Sequence, residues 1–147
     1  MRITICSLKK ENLAPLEQHI PEYYMDNVGE EGYYTLGAVC FPDGVPTLIG
    51  MSQFYVDSAP DGLMYSELNY VYVLKEYRGQ SLGTRLVGMA DSILTDDVDV
   101  FMAGVVPGAM GRSAKELSGE AKRSFLKECG FIPIGNDHRK FFRFTGR

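Results

Sequence analysis

The sequence predicts a single α/β (α+β) domain over residues 1–147, with a mixed central sheet of about seven strands flanked by about four helices. The chain of 147 residues is long enough for one domain that buries about two-thirds of its unfolded surface. Apolar runs joined by Gly/Pro turns predict antiparallel hairpins, whereas a strand–helix–strand unit later in the chain requires a parallel pair. Both kinds of pairing in one sheet make it mixed.

Apolar or alternating segments predict the strands. They are residues 2–7, 33–41, 47–56, 63–74, 98–106, 131–134 and 140–144. The turn Pro-Asp-Gly-Val-Pro at 42–46 predicts a hairpin between the second and third strands. The almost continuous apolar run at 98–106 predicts a strand buried on both faces. Loops are expected at 107–113 and 135–139.

Capping residues and helical spacing predict the helices. A polar cap predicts a helix at 12–20, with Pro15 tolerated in its first turn, and a short acidic helix follows at 22–31. Two later helices carry apolar stripes, and Gly130 ends the second of them. The stripes are Leu82, Leu86, Val87, Ala90, Ile93 and Leu94, then Leu117, Ala121, Phe125 and Cys129.

Composition excludes several classes of function. A net charge of −4 argues against nucleic acid as the main partner, since binding to phosphate backbones needs a basic face. We find no secretory segment and no apolar run long enough to span a bilayer. Three widely spaced cysteines without CxxC favour neither disulfides nor a zinc site. We therefore expect a cytoplasmic protein with no metal site and no membrane partner.

The stretch Arg78-Gly-Gln-Ser-Leu-Gly-Thr84 joins a predicted strand to a predicted helix. A helix N-terminus offers unpaired N–H groups and a partial positive charge, which together attract anions. Gly79 and Gly83 let a phosphate approach closely, and Arg78 adds a positive fork. Neither a P-loop nor GxGxxG is present. The alternative is an ordinary strand–helix turn.

Residues 71–86 resemble the acetyl-CoA loop of the GCN5-related N-acetyltransferases (GNAT). That pattern is an apolar strand, a turn, Arg or Gln, two residues, Gly, one residue, and Gly or Ala. Arg78 and Gly83 occupy its first and last places, while Ser81 replaces the middle glycine and could donate its hydroxyl to a phosphate. Residues 124–134 are similar to the family's late helix and strand, Phe-Tyr-x-Lys-x-Gly-Phe. The element order also agrees with the family's fold.

The resemblance implies an acetyl-CoA-dependent N-acetyltransferase that acts directly on a primary amine of a small molecule or peptide. It implies splayed parallel central strands, with 71–73 diverging from 98–106 to bind the pantetheine arm and the thioester. The diphosphate would lie on the N–H groups of residues 79–84. The implied cofactor-binding residues are Val71, Tyr72, Val73, Arg78, Gly79, Gln80, Ser81, Leu82, Gly83 and Thr84.

Glu67 is the candidate catalytic base. It interrupts an apolar strand and, by strict alternation, would share a face with Asn69, Val71 and Val73. It also stands eleven residues before Arg78, where some family members have a catalytic glutamate. A proton relay would use water. The alternative is a solvated glutamate near the start of a strand.

The resemblance leaves the general acid open. Leu126 replaces the family's tyrosine and cannot donate a proton, which leaves water or one of several nearby groups. Those groups are Ser124, Cys129, Tyr70 and Tyr72. A covalent route through Cys129 or Cys40 is less favoured, because no histidine forms a recognisable dyad with either. Two rival hypotheses are a catalytically weak CoA-binding module of the same fold and an unrelated phosphate-binding α/β protein.

The resemblance places the acceptor pocket at 22–31 and 136–139. The tyrosines and carboxylates of 22–31 would suit a cationic amine, although a solvated helix face is the simpler interpretation. His19 and His138 are possible bases. Arg112 and Lys115 could contact the CoA 3′-phosphate, or could lie in an exposed loop.

Overall fold

The computed structural model describes residues 2–94, 98–104, 119–135 and 137–144. Its strands alternate with short helical segments along the chain. They are β1 (Ile3–Ser7), β2 (Tyr33–Cys40), β3 (Thr47–Ser58), β4 (Met64–Val73), β5 (Val100–Gly104), β6 (Ile132–Ile134) and β7 (Asp137–Phe144). No helix within these residues is long and apolar enough to cross a membrane.

The seven strands form one sheet in the order β1-β2-β3-β4-β5-β7-β6. β4 and β5 are parallel, and the other neighbouring pairs are antiparallel. The predicted mixed sheet and its β2–β3 and β3–β4 hairpins are therefore confirmed. The helix that follows β4 lies between the two parallel strands in the chain and connects them, as a strand–helix–strand crossover requires.

The helices are α1 (Glu22–Asp26), α2 (Leu82–Leu94), α3 (Gly119–Glu128) and a 3-10 helix at Lys10–Leu16. Single 3-10 turns occur at Pro42–Gly44 and Lys75–Tyr77. The helix predicted at 12–20 was wrong in type and start. Asn12 lies inside the 3-10 turn, and its Oδ1 accepts the Lys9 N–H at 2.9 Å. The helix predicted at 22–31 ends at Asp26, since Asn27–Glu31 forms turns around Gly29.

Two strand boundaries also differ from the prediction. β7 begins at Asp137 and pairs with Ile134 of β6, so the loop predicted at 135–139 is much shorter. β5 begins at Val100 rather than at the predicted residue 98, and residues 105 and 106 lie outside the described residues. The loop predicted at 107–113, with Arg112, and the following Lys115 and Leu117 lie outside the described residues.

Helices cover the two faces of the sheet at different places. α2 and α3 pack on one face, where Val87, Ala90 and Leu126 join a buried cluster with strand residues such as Phe101. On the opposite face, the 3-10 helix and the α1 region cover the far end of β4, including Tyr70 and Tyr72. Both faces of β4 are therefore buried near its C-terminal end, which holds the backbone of that end in a defined position.

A β-bulge at Asn69 changes the side from which later β4 side chains project. Gln53 pairs with Tyr70 whereas Phe54 pairs with Leu68, so Asn69 has no partner in the register. Leu68 and Val71 consequently face the same cluster beneath α2. An extra residue in one strand reverses the alternation beyond it, which a periodic pattern in the sequence does not reveal.

Candidate active site

The described pairing between β4 and β5 covers only the first half of β4. Their parallel ladder joins 65–68 to 100–103 and ends at Leu68–Ala103, although β4 continues to Val73. Beyond Leu68, the other edge of β4 remains paired with β3 as far as the Val73–Gly50 pair. The described part of β5 ends at Gly104, one residue beyond the last pair of this ladder. We call the end of this ladder the fork; the resemblance predicts that the two strands diverge from this point.

The loop after β4 builds a backbone cradle at the start of α2. Gly79 has φ +83° and Ser81 has φ +60°, so both adopt left-handed conformations. The Arg85 N–H donates to the Ser81 carbonyl at 3.0 Å, which makes Ser81 the residue that precedes the first helical turn. The N–H groups of Leu82, Gly83 and Thr84 belong to that turn and have no intrahelical acceptor. The cradle therefore presents N–H groups and the positive end of a helix dipole.

Arg78 fastens this loop to the end of β4. Its Nε donates to the Val73 carbonyl at 2.8 Å, and its guanidinium carbon lies 5.5 Å from the centroid of the Tyr72 ring. Arg78 also contributes to the wall of the adjacent cavity. Arg78 was predicted as a phosphate ligand, and in the structure it also bonds the last carbonyl of β4, where the loop begins.

A cavity of about 400 Å³ opens between the cradle, β4 and α3. Eight of the ten predicted cofactor-binding residues line it: Val71, Val73, Arg78, Gly79, Ser81, Leu82, Gly83 and Thr84. The other two do not. The Tyr72 side chain is buried on the opposite face, where it stacks on His19 with 5.5 Å between ring centroids, and Gln80 is exposed.

Phe125 and Glu128 of α3 complete the wall and were missed as cavity residues. Phe125 and Glu128 both belong to the stretch that resembles Phe-Tyr-x-Lys-x-Gly-Phe, which was the available signal, and Glu128 stands where that pattern has lysine. A Cβ on Gly83 would lie 2.9 Å from Cε1 of Phe125, so the glycine allows α2 and α3 to meet there. Gly83 is thus required for packing as well as for open access to the cradle.

The cavity suits a nucleotide diphosphate with an apolar extension. Its cradle end offers N–H groups and Arg78, and its inner wall offers Val71, Val73 and Phe125. The carboxylate of Glu128 lies at the wall as well, and its charge opposes an anion placed beside it. Among the described residues, no group of three or more His, Cys, Asp and Glu side chains is placed to hold a metal ion.

Glu67 is exposed and lies immediately before the fork. It pairs across the sheet with Tyr55 on β3 and with Met102 on β5. The prediction that it shares a face with Val71 and Val73 was wrong, because the bulge at Asn69 turns those two side chains toward α2. Glu67 instead projects from the opposite face of the sheet, away from the cavity.

The cysteines lack the environment of nucleophiles. Burial raises the pKa of the Cys129 thiol to about 11, although hydrogen bonding with Thr84 and the charge of Arg143 lower it in part. That pKa keeps Cys129 a neutral thiol near pH 7, and neutral thiols attack poorly. Cys40 is also buried. The covalent route therefore gains no support from either residue.

The candidate general acids are mostly turned into the core. Leu126 is fully buried, and Tyr70 is fully buried with its hydroxyl 3.4 Å from the His19 carbonyl. Ser124 is exposed on α3 and is absent from the cavity wall. None of these three side chains lines the cavity beside the fork, where a general acid would be needed.

The first predicted acceptor segment reaches the face that carries Glu67. The Gln53 side chain donates to the Tyr24 carbonyl at 2.7 Å, and the Tyr24 ring lies 4.3 Å from the Tyr70 ring. A hydrogen bond with Tyr23 raises the pKa of Tyr33 to about 12. In the second predicted segment, Asn136 and the side chain of His138 lie outside the described parts of the chain.

Comparison with known proteins agrees with the family that the sequence resembles. The family model described as "Acetyltransferase (GNAT) family" matches residues 4–107, more than half of the chain. A search of curated proteins finds no match.

Several solved structures are similar over most of the chain. Arabidopsis thaliana NAA60 in complex with acetyl-CoA has a TM-score of 0.73 at 15% identity, covering 97% of this chain and 99% of that one. The PaiA N-acetyltransferase of Thermoplasma acidophilum in complex with coenzyme A has a TM-score of 0.65 at 20% identity, covering 97% of each chain. The ribosomal-protein-alanine N-acetyltransferase of Brucella melitensis has a TM-score of 0.55 at 22% identity, covering 78% of this chain and 87% of that one. At these identities the similarity is one of fold.

The contact between Gly83 and Phe125 predicts opposite outcomes for two glycines of α2. Gly88→Ala meets open space and should raise the free energy of unfolding by up to about 1 kcal/mol, because alanine favours helices. Gly83→Ala should instead lower it and narrow the cavity. Urea unfolding of both variants measures this difference. Equal stabilisation by the two substitutions would show that Phe125 does not restrict Gly83.

The left-handed conformation of Ser81 predicts a stabilising glycine. A non-glycine residue in this region costs about 1–2 kcal/mol, and glycine avoids most of that at a smaller entropic cost. Ser81→Gly should therefore unfold at a higher urea concentration, with a gain of about 0.5–1 kcal/mol. Ser81→Ala retains the Cβ and serves as the control without a gain. A loss of stability in Ser81→Gly would contradict the assigned backbone conformation.

Proposed function

The chain belongs to the GNAT acetyltransferase family, and on that premise we propose that it transfers an acetyl group from acetyl-CoA directly to a primary amine of a small molecule or peptide. One observation carries the proposal: the cavity at the start of α2 lies beside the fork between β4 and β5. A cofactor held in this cavity can extend an acyl group into the fork. Matched structures named as N-acetyltransferases support amine acetylation.

The cradle would hold the diphosphate of acetyl-CoA. Oxygens of the diphosphate would accept hydrogen bonds from the N–H groups of Leu82, Gly83 and Thr84, with Arg78 as the neighbouring cation. The apolar stem would pack on Val71 and Val73. Backbone groups of β4 past the fork would hydrogen-bond the rest of the arm.

The fork would supply the electrostatic part of catalysis. Attack of a neutral amine on the thioester forms a C–N bond and places negative charge on the carbonyl oxygen. A backbone N–H of β4 within the fork can stabilise that charge, because it is fixed in place before the reaction. The C–S bond then breaks, and the electron pair leaves with the sulfur as a thiolate.

Glu67 would receive the proton that the amine gives up, through an intervening water molecule. Its position immediately before the fork and on the face opposite the cavity places it on the side from which an acceptor can approach. With Leu126 buried and Cys129 enclosed in the core, solvent is the proposed proton source for the thiolate. Thiols have ordinary pKa values near 8.5, so a thiolate leaves readily without a dedicated acid.

Acetyl-CoA binding and turnover test this proposal. The protein should show a thermal upshift with acetyl-CoA that ATP and NAD do not reproduce, because only the first fits both the cradle and the apolar wall. Incubation with a panel of primary amines should release free thiol, measured continuously with a thiol reagent after correction for the protein's own cysteines. Binding without turnover on any amine would favour the CoA-binding module instead. Absence of binding would reject both.

Glu67→Gln tests the role of the carboxylate. We expect kcat to fall by about 10²-fold with little change in the KM for acetyl-CoA, since a general base contributes at least this much and Glu67 lies outside the cavity. Glu11→Gln, an exposed glutamate in the 3-10 helix, is the matched control. A Glu67→Gln enzyme with unchanged kcat across the pH range would remove Glu67 from proton transfer.

A further inference from the structure

A row of side chains through Glu67 crosses the sheet, and none of the described helices covers it. Cross-strand pairing aligns Tyr55 on β3, Glu67 on β4, Met102 on β5, Phe142 on β7 and Ile132 on β6. Cross-strand partners project from the same face, so these five side chains form one line. We call this line the acceptor row.

Described residues leave the acceptor row accessible. Ile132 is 53% exposed, Glu67 is exposed, and Tyr55, Met102 and Phe142 are half-buried. The reverse face of the same strands is buried beneath α2 and α3. The 3-10 helix and the α1 region pack over Tyr70 and Tyr72, beyond the fork. The row is therefore an apolar surface that starts where the helical cover of this face ends.

A second row lies alongside, further from the fork. It comprises Asp57, Tyr65, Val100 and Phe144, and Phe144 is 74% exposed. The Phe142 and Phe144 rings are in edge contact with 5.6 Å between their centroids, which makes the two rows continuous. Burial and the charges of Asp57 and Glu67 raise the pKa of Tyr65, so its phenol stays neutral on this surface.

The charges on these rows suit a single ammonium group. Glu67 and Asp57 are the two charged side chains of the described rows, and both are acidic. Lys140 shares the face but lies two residues along β7 from Phe142, and β7 is two strands away from Glu67. A free amino acid would bring its carboxylate beside these acids, and neither of the described rows contains a cation to meet it. An amine whose neighbouring carbonyl is an amide avoids that repulsion.

The size of the surface favours a peptide over a small amine. Neighbouring strands are about 4.8 Å apart, so the row from β3 to β6 is about 19 Å long. Several residues of an extended peptide fit this length, whereas a small aralkylamine covers less than half of it. An α-amine also has a pKa of about 7.7–8.0 against about 10.4 for lysine, so it loses its proton more easily to an exposed carboxylate acting through water.

From these observations we infer that the acceptor is the N-terminal amine of a peptide whose first residues carry large apolar side chains. The ammonium lies at Glu67 beside the fork, and the first side chains pack on Met102 and Phe142. The inference rests on the proposed function and adds the class of acceptor to it. Tyr55, Met102, Phe142 and Ile132 then determine specificity and take no part in the chemistry.

Initial rates with acetyl-CoA and matched acceptors test the inference. The amide-capped peptides are Phe-Leu-Ser-Gly and Gly-Gly-Ser-Gly, and N-α-acetyl-lysine amide, 2-phenylethylamine and spermidine complete the set. We expect kcat/KM for the apolar peptide to exceed that for the glycine peptide by about 10- to 100-fold, as for apolar side chains that fill a pocket. The other three amines should be poorer than the apolar peptide.

Variants of the row identify the surface responsible. Phe142→Ala and the exposed-site variant Ile132→Ser should raise the KM for the apolar peptide while kcat changes less than about threefold. Phe41→Ala removes an exposed aromatic ring from the β2–β3 turn and should leave the preference unchanged. The acetyl-CoA thermal shift reports that each variant is folded. Ile132→Ser keeps the test valid if Phe142→Ala does not fold.

The possible results separate the two proposals. Turnover of other amines without preference for the apolar peptide would overturn this inference and leave the acetyltransferase function standing. A preference that survives both row variants would also overturn it. Turnover of no amine at all would reject the proposed function, and this inference with it.

Discussion

The short pairing between β4 and β5 is the constraint on which the rest of the site depends. Parallel strands usually satisfy each other's backbone groups along their shared length, and unsatisfied buried groups are costly. Here the ladder ends at Leu68–Ala103 while β3 and helices on both faces hold β4 in place as far as Val73. β4 is therefore held rigidly past the end of its described ladder with β5, and the proposed function uses this part of the strand to hydrogen-bond the arm of the cofactor.

The fork also explains why the two faces of the sheet have different chemistry. On the α2 face, the cavity collects N–H groups and a cation around apolar strand residues, as a charged cofactor with an apolar stem requires. On the opposite face, acidic and aromatic side chains lie open beside Glu67. The bulge at Asn69 separates the two sets, because it turns Val71 toward the cavity and leaves Glu67 on the other side.

Several residues of the site combine structural and binding roles. Arg78 joins the cradle to the strand end through the Val73 carbonyl, so the cradle and the fork are held in one arrangement. Gly83 allows Phe125 to approach, and the same missing side chain exposes the first N–H groups of α2. Ser81 keeps a conformation that glycine adopts more readily. Binding geometry and packing therefore constrain the same few positions.

Much of this architecture could be predicted because it depends on local chemistry. Alternating and continuous apolar runs indicated the seven strands, the turn at 42–46 indicated a hairpin, and the connection through α2 required the parallel pair. Arg78, Gly79 and Gly83 identified the cradle, since a strand-to-helix turn with glycines is a local signature. The first helix was predicted less well, because a 3-10 turn and an α-helix share capping residues and differ chiefly in how tightly the chain is wound.

The sequence by itself determined which segments form strands and where the glycine-containing turn before α2 begins, because neighbouring residues settle those features. Tertiary structure alone decided which face carries Glu67, that Tyr72 turns away from the cavity, and that α3 contributes Phe125 and Glu128 to its wall. It also aligned Tyr55, Met102 and Phe142, which are far apart in the chain. The reason is register. The extra residue Asn69 reverses which face of the sheet the later β4 side chains project from, and only the pairing of β4 with β3 reveals this bulge.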